Sequence, residues 1–145
     1  MKIVLQRVKR ASCTVDGVIT GKIEQGYLLL VGFTHSDTEK VLPKAAKKIN
    51  NLRIFEDEFG KMNLNINAVN GSILSISQFT LYANTNEGNR PSFVDAKKPD
   101  EAKALYHSFN NHLRSYGLVV EEGIFGADMK IDLLNDGPCT IVFEF

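Results

Sequence analysis

The sequence predicts a single compact α+β domain in which two helices lie on a mostly antiparallel, barrel-like sheet. Three observations lead there. The chain has 145 residues, enough for one buried core and too few for two ordinary domains. Its two ends and its middle carry runs rich in β-branched residues at strand spacing. Two intervening stretches place apolar residues at helical spacing instead.

Residues 2–15 alternate polar and apolar types and form the first predicted strand. Asp16-Gly17 ahead of Val18-Ile19 is a hairpin signal, so residues 18–24 should pair back. The run Tyr27 to Phe33 is hydrophobic throughout, the pattern of a central strand covered on both faces. Ser36 and Glu39 make a capping-box pattern before Val41, Leu42, Ala45, Ala46, Ile49 and Leu52, an apolar stripe at helical spacing. Pro43 fits that helix only near its first turn. Arg53-Ile54-Phe55 is expected as a short strand entering the turn Glu56-Asp57-Glu58-Phe59-Gly60, read as solvated because no partner ligands follow at metal spacing. Residues 72–83 are the most strand-like segment of the middle, and 84–98 form a Gly/Asn/Pro loop. Pro99 at a first helical position, Asp100 and Glu101 beside it, and the stripe Ala102, Leu105, Tyr106, Phe109, Leu113 and Tyr116, closed by Gly117, predict an amphipathic helix with an aromatic core face. Strands near 118–122, 128–134 and 139–145 complete the domain.

Seventeen basic residues balance seventeen acidic ones, so a nucleic-acid partner would have to be met by a local basic patch and not by net charge. No stretch approaches the roughly 20 apolar residues of a membrane span, and the N-terminus lacks the long apolar run of a secretion signal. Cys13 and Cys139 sit in apolar strand contexts and are expected to be reduced and packed. No metal is expected: His107 and His112, five apart on the second helix, face different ways, and His35 is isolated.

Two segments combine strand character with unusual polarity. Alternation over Ser72–Tyr82 puts Leu74, Ile76, Gln78, Thr80 and Tyr82 on one face and Ile73, Ser75, Ser77, Phe79 and Leu81 on the other, each face turning polar partway along. That is either an ordinary strand reaching water or the wall of a site whose polar groups await a ligand. Asn135-Asp136-Gly137-Pro138 reads either as a hairpin turn or as a close-approach element whose X-Pro bond, held cis, points successive carbonyls at a ligand. Gly123-Ile124-Phe125-Gly126-Ala127-Asp128-Met129 would pack, or line a pocket.

Ser77-Gln78-Phe79-Thr80-Leu81, Gly88-Asn89-Arg90-Pro91-Ser92-Phe93, Gly123 to Met129 and Asn135-Asp136-Gly137-Pro138, in this order and spacing, resemble the D-aminoacyl-tRNA deacylase (D-tyrosyl-tRNA(Tyr) deacylase) family. The likeness extends over the chain, through Val4-Leu5-Gln6-Arg7-Val8 and Leu52-Arg53-Ile54-Phe55-Glu56-Asp57. It implies a cytoplasmic homodimer that hydrolyses the ester of D-aminoacyl-tRNA, and of mischarged glycyl-tRNA, without a cofactor. By this resemblance Ser77, Gln78, Phe79 and Thr80 form the catalytic wall. Gly137 and Pro138, in the cis form, reach in from the partner subunit and exclude L-amino acids by their backbone carbonyls. Arg7 helps hold that element, and Phe125 and Met129 line the pocket. Arg90, Lys97 and Lys98, together with Lys44, Lys47 and Lys48 on the first helix, are candidate tRNA phosphate contacts.

No Ser-His-Asp or Cys-His set lies near these motifs, and a lone Thr80 hydroxyl without a base is poorly activated. The resemblance implies instead that the 2′-hydroxyl of the terminal adenosine assists while backbone amides near Phe79 and Thr80 polarise the carbonyl. A non-catalytic small-molecule or RNA-binding α+β module is the competing expectation.

Overall fold

One long strand organises the molecule. In the computed structural model, which describes residues 1–145, β1 (Lys2–Val15) carries β8 (Lys130–Glu144) along one edge. The other edge is shared by β3 (Gly26–Gly32) at residues 2–8 and β2 (Val18–Ile23) at residues 11–15. All three pairings are antiparallel. Beyond β3 the sheet turns parallel, with β6 (Ser72–Ser77) against β3 and β7 (Val120–Glu122) against β6. The sheet is mostly antiparallel, as expected, with a parallel part at β3, β6 and β7, and β2 curls back toward β6 and β7 to leave a nearly closed barrel. A two-stranded ribbon of β4 (Phe55–Glu56) and β5 (Met62–Leu64) stands apart, with its acidic turn exposed as expected.

Alternation sorts the core into two bodies. Ile3 and Leu5 of β1 and Tyr27, Leu29 and Val31 of β3 face α1 (Leu42–Asn51) and α2 (Pro99–Arg114). Leu28, Leu74 and Ile76 face inward with Val8, Ala11, Cys13 and Ile23, filling the barrel. This is why β3 reads as an uninterrupted hydrophobic run: both its faces are covered. Leu105, Tyr106, Phe109 and Leu113 are the buried stripe of α2, each contributing roughly 1.5–3 kcal/mol of burial. Both cysteines are buried and free.

Four local expectations are corrected. The Ser36/Glu39 capping box does not form: a 3-10 turn at Glu39–Val41 leads into α1 without a side-chain cap, and Asp37 instead accepts the Thr34 backbone N–H at 2.7 Å. Tyr116 lies beyond α2, which ends at Arg114, and is 41% exposed, so the aromatic core face stops at Phe109. The strand expected over 72–83 ends at Ser77, and Phe79–Tyr82 is a 3-10 turn. Gly32 of β3 leaves room for this turn, since a Cβ there would come within 2.7 Å of the Gln78 carbonyl oxygen and 3.2 Å of Leu81 Cβ. Finally, 135–138 is no hairpin. Residues 130–144 are one strand, because both halves pair with the same β1: Asn135 stays in the ladder opposite Val8, and 136–139 make a bulge opposite Arg7.

Candidate active site

The end of β3, the end of β6 and the 123–131 segment enclose a cavity of about 240 Å³. Ser77, Gln78 and Phe79 from the end of β6 form one part of its wall, and Phe125 and Met129 from the 123–131 segment another. The wall is made by the abrupt end of β6. Gln78 N–H still donates to Val31 O at 2.7 Å, after which the chain coils, and Leu81 N–H donates back to Gln78 O at 3.3 Å. A turn that begins this way leaves the amides of Phe79 and Thr80 at its open end, without a helical acceptor.

Thr80 does not line the cavity; its hydroxyl accepts from the Gln78 side-chain amide at 2.5 Å. An amide donor cannot take a proton, so Thr80 has no positioned base. The one carboxylate on the lining, Asp128, is 85% exposed and both its oxygens accept from Lys130 Nζ at 2.9 Å.

The wall is braced from behind. Tyr106 of α2 donates its hydroxyl to Ser75 O at 2.7 Å, two residues before Ser77, and its ring packs 5.9 Å from that of Phe125. Burial pushes its phenol up to about 12. Lys97 lines the cavity with a side chain only 10% exposed, donating to His35 O at 3.1 Å and pairing with Glu101 at 3.1 Å. Lys98 and Arg90 are exposed and lie away from the lining, as do Lys44, Lys47 and Lys48 on the outer face of α1.

Gly137 and Pro138 are exposed and line no part of this chain's cavity; the bond between them is cis. Arg7, 5% exposed, reaches this segment through Nε, which donates to Asp136 O at 3.0 Å, while Nη1 donates to Ile54 O at 2.5 Å. Gly137 holds φ +136°, a region that favours glycine, and a Cβ there would lie 2.9 Å from Cys139 N.

The structure thus groups Ser77, Gln78, Phe79, Phe125, Met129 and Lys97 in one place and Arg7, Gly137 and Pro138 in another. Sequence reasoning missed the Tyr106 brace, because Tyr106 falls in an apolar stripe that reads as packing alone. It also missed the Asn135 side chain, whose signal was only its place before Asp136-Gly137.

The fold and the cavity define a class: an α+β barrel-like domain with a mostly apolar cavity, walled in part by a turn whose first amides have no backbone acceptor. The comparisons make this specific. The family model for D-Tyr-tRNA(Tyr) deacylase matches residues 4–144. D-aminoacyl-tRNA deacylases of Bacillus cereus (strain G9842) and Bacillus thuringiensis (strain Al Hakam) are each 58% identical over 144 residues, 99% of either chain. Among solved structures, one of c-Myc DNA unwinding element binding protein superposes with a TM-score of 0.93 at 42% identity, covering 100% of this chain and 99% of that one. A probable eukaryotic D-amino acid tRNA deacylase shares the fold, with a TM-score of 0.84 at 18% identity over 98% of this chain and 97% of the other. The chain belongs to the D-Tyr-tRNA(Tyr) deacylase family, hydrolases acting on ester bonds.

Proposed function

We propose that this protein hydrolyses the ester joining a D-amino acid to tRNA, removing mischarged D-residues from translation in the cytoplasm, with glycyl-tRNA as a further substrate. The observation that carries the reading is the cavity itself. The family-typical wall Ser77–Phe79 shares the cavity lining with Phe125 and Met129, and the amides of Phe79 and Thr80 stand open at the turn. Donors fixed in advance can stabilise the oxyanion that forms on ester attack. An aminoacyl ester is already reactive, so positioning and assistance from the adenosine 2′-hydroxyl suffice without a strong protein base.

In this reading the active unit is a homodimer. Gly137 and Pro138 are exposed and away from their own cavity, which suits an element that completes a partner's site. Beside them the outer sheet face carries Val142, 65% exposed, in register with Val4, an apolar row that a second copy would cover. The carbonyls of Gly137 and Pro138 would occupy the place of an L side chain and leave room only for hydrogen. Lys97, Arg90 and Lys98 are the proposed phosphate contacts, with Lys97 nearest the reacting end.

The relative named for binding a DNA unwinding element favours one competing reading, a nucleic-acid-binding module without ester cleavage. Single-turnover deacylation of D-Tyr-tRNA and L-Tyr-tRNA by the purified protein separates the two. A D-preference of about 10⁴, equivalent to roughly 5.5 kcal/mol, is the expected result. Binding of both esters with cleavage no faster than in buffer would reverse the conclusion.

A further inference from the structure

The bulge in β8 is too wide for the β-ladder to hold. β1 and β8 pair Gln6 with Thr140 and then Val8 with Asn135, so Arg7 alone faces the four residues 136–139. Pro138 has no N–H to offer, and the backbone groups of this stretch need other partners. Side chains supply them at both ends. On the N-terminal side Arg7 Nε donates to Asp136 O at 3.0 Å. On the C-terminal side the connection runs through Asn135: its Nδ2 donates at once to Arg7 O at 2.9 Å and to Cys139 O at 3.0 Å.

We propose that Asn135 is a positioning residue for chiral selection, its one amide nitrogen tying Arg7 O to Cys139 O across the Gly137–Pro138 bulge and so aiming the carbonyls of that element. This rests on the proposed role of Gly137 and Pro138 as the element that rejects L-amino acids. Arg7 alone cannot fix the element. It secures only the Asp136 side, and the carbonyl of Cys139 is reached by no side chain of β1. The residue type follows from the geometry. Two carbonyl oxygens must be met by one atom, and a primary amide carries two hydrogens on its nitrogen. An ionised carboxylate of the same shape carries none and would set a negative charge against both oxygens. Asn135 is itself half-buried and is not on the cavity lining, so it acts through Gly137 and Pro138 and touches no reacting atom of its own chain's cavity.

The test compares the wild type with Asn135→Ala and Asn135→Asp in single-turnover cleavage of D-Tyr-tRNA and L-Tyr-tRNA, with thermal melting and sedimentation to follow folding and assembly. Asn135→Ala is expected to lower the D-to-L rate ratio by about tenfold or more, as the loss of two ordinary hydrogen bonds allows, with the D rate changed much less. Asn135→Asp is expected to lose the ratio at neutral pH and to recover part of it at about pH 4, near the ordinary Asp pKa of about 3.9, where a protonated carboxyl can again donate one bond. Should Asn135→Ala fail to fold, the pH dependence of the Asn135→Asp ratio decides. A ratio unchanged in the folded variants, or D and L rates that fall together, would overturn the assignment and leave Asn135 a merely structural residue. A wild type that shows no D-specific cleavage refutes the proposed function before any variant is compared, so the two failures are distinguishable.

Discussion

The rings of Phe79 and Phe93 meet edge to face, their centroids 5.0 Å apart and their planes at 68°. The contact ties the 84–98 loop to the turn that ends the cavity wall. Other ties flank it: Asn84 and Ser92 exchange backbone hydrogen bonds of 2.8 and 2.9 Å, and Lys97 N–H donates to Phe33 O at 2.9 Å. The loop therefore helps set the position of Phe79, whose amide lies at the open end of the turn.

Phe93→Ala tests that coupling. Phe93 is 37% exposed, so the change should cost only about 1–2 kcal/mol in urea unfolding, the aromatic pairing and part of a ring's burial. Its functional effect should be larger on KM than on kcat, with faster proteolytic nicking within 84–98. An unchanged KM and an equally protected loop would show that the ring pair does not position the wall.

Arg7→Lys should be strongly destabilising despite keeping the charge. Arg7 uses two different nitrogens to reach two carbonyls, Ile54 O and Asp136 O, on separate elements. A lysine ammonium occupies one point and cannot serve both. Loss of one charge-assisted bond in a nearly buried setting predicts a drop of about 1.5–3 kcal/mol, read from the urea midpoint at constant slope. A midpoint within error of wild type would mean the fork is not needed.

Much of this architecture is legible in the sequence, and the exceptions have physical causes. The β1–β2 hairpin and the buried β3 follow from Asp16-Gly17 and an unbroken apolar run, both local signals. The end of β6 is not local. Gln78, Thr80 and Tyr82 continue the alternation of Leu74 and Ile76, and the space for the turn that breaks it is left by Gly32 on another strand. The same applies to residues 130–144, where Gly137-Pro138 has the composition of a hairpin turn while pairing of both halves with β1 makes it a bulge. Of the candidate site, Phe125 and Met129 lie on the cavity lining in a segment whose two glycines and apolar residues stand out in the sequence, whereas the inward turn of Lys97 depends on His35 and Glu101, which no periodicity in the loop reveals.

Three phenols make stability sensitive to alkali. Burial raises the pKa of Tyr27, Tyr82 and Tyr106 above the ordinary 10.0, that of Tyr106 to about 12. The folded protein therefore keeps protons that the unfolded chain releases. Stability from these groups is complete below about pH 10 and is lost as pH rises through the folded values. Urea midpoints should be level from about pH 8 to 10 and fall above that. Tyr106→Phe should weaken the protein by about 1 kcal/mol at neutral pH, through loss of the bond to Ser75 O, and make the alkaline fall shallower. A fall that begins below pH 9 would point to other groups.

Thr80→Ala separates the two chemistries open to this site. If the Thr80 hydroxyl were the nucleophile, the variant would be inactive and the wild type would accumulate a trapped acyl-enzyme with D-aminoacyl ester. The geometry argues otherwise, since the hydroxyl accepts from the Gln78 amide and meets no base. Thr80→Ala should therefore retain substantial cleavage, slowed chiefly because Gln78 loses a partner, about tenfold for one hydrogen bond of ordinary strength. The complementary substrate, D-Tyr-tRNA ending in 2′-deoxyadenosine, should bind with near-normal affinity and be cleaved far more slowly by the wild type. If the variant were dead while the deoxy substrate was cleaved at full rate, the turn would be supplying a nucleophile after all, and a base for Thr80 would have to come from outside this chain's cavity.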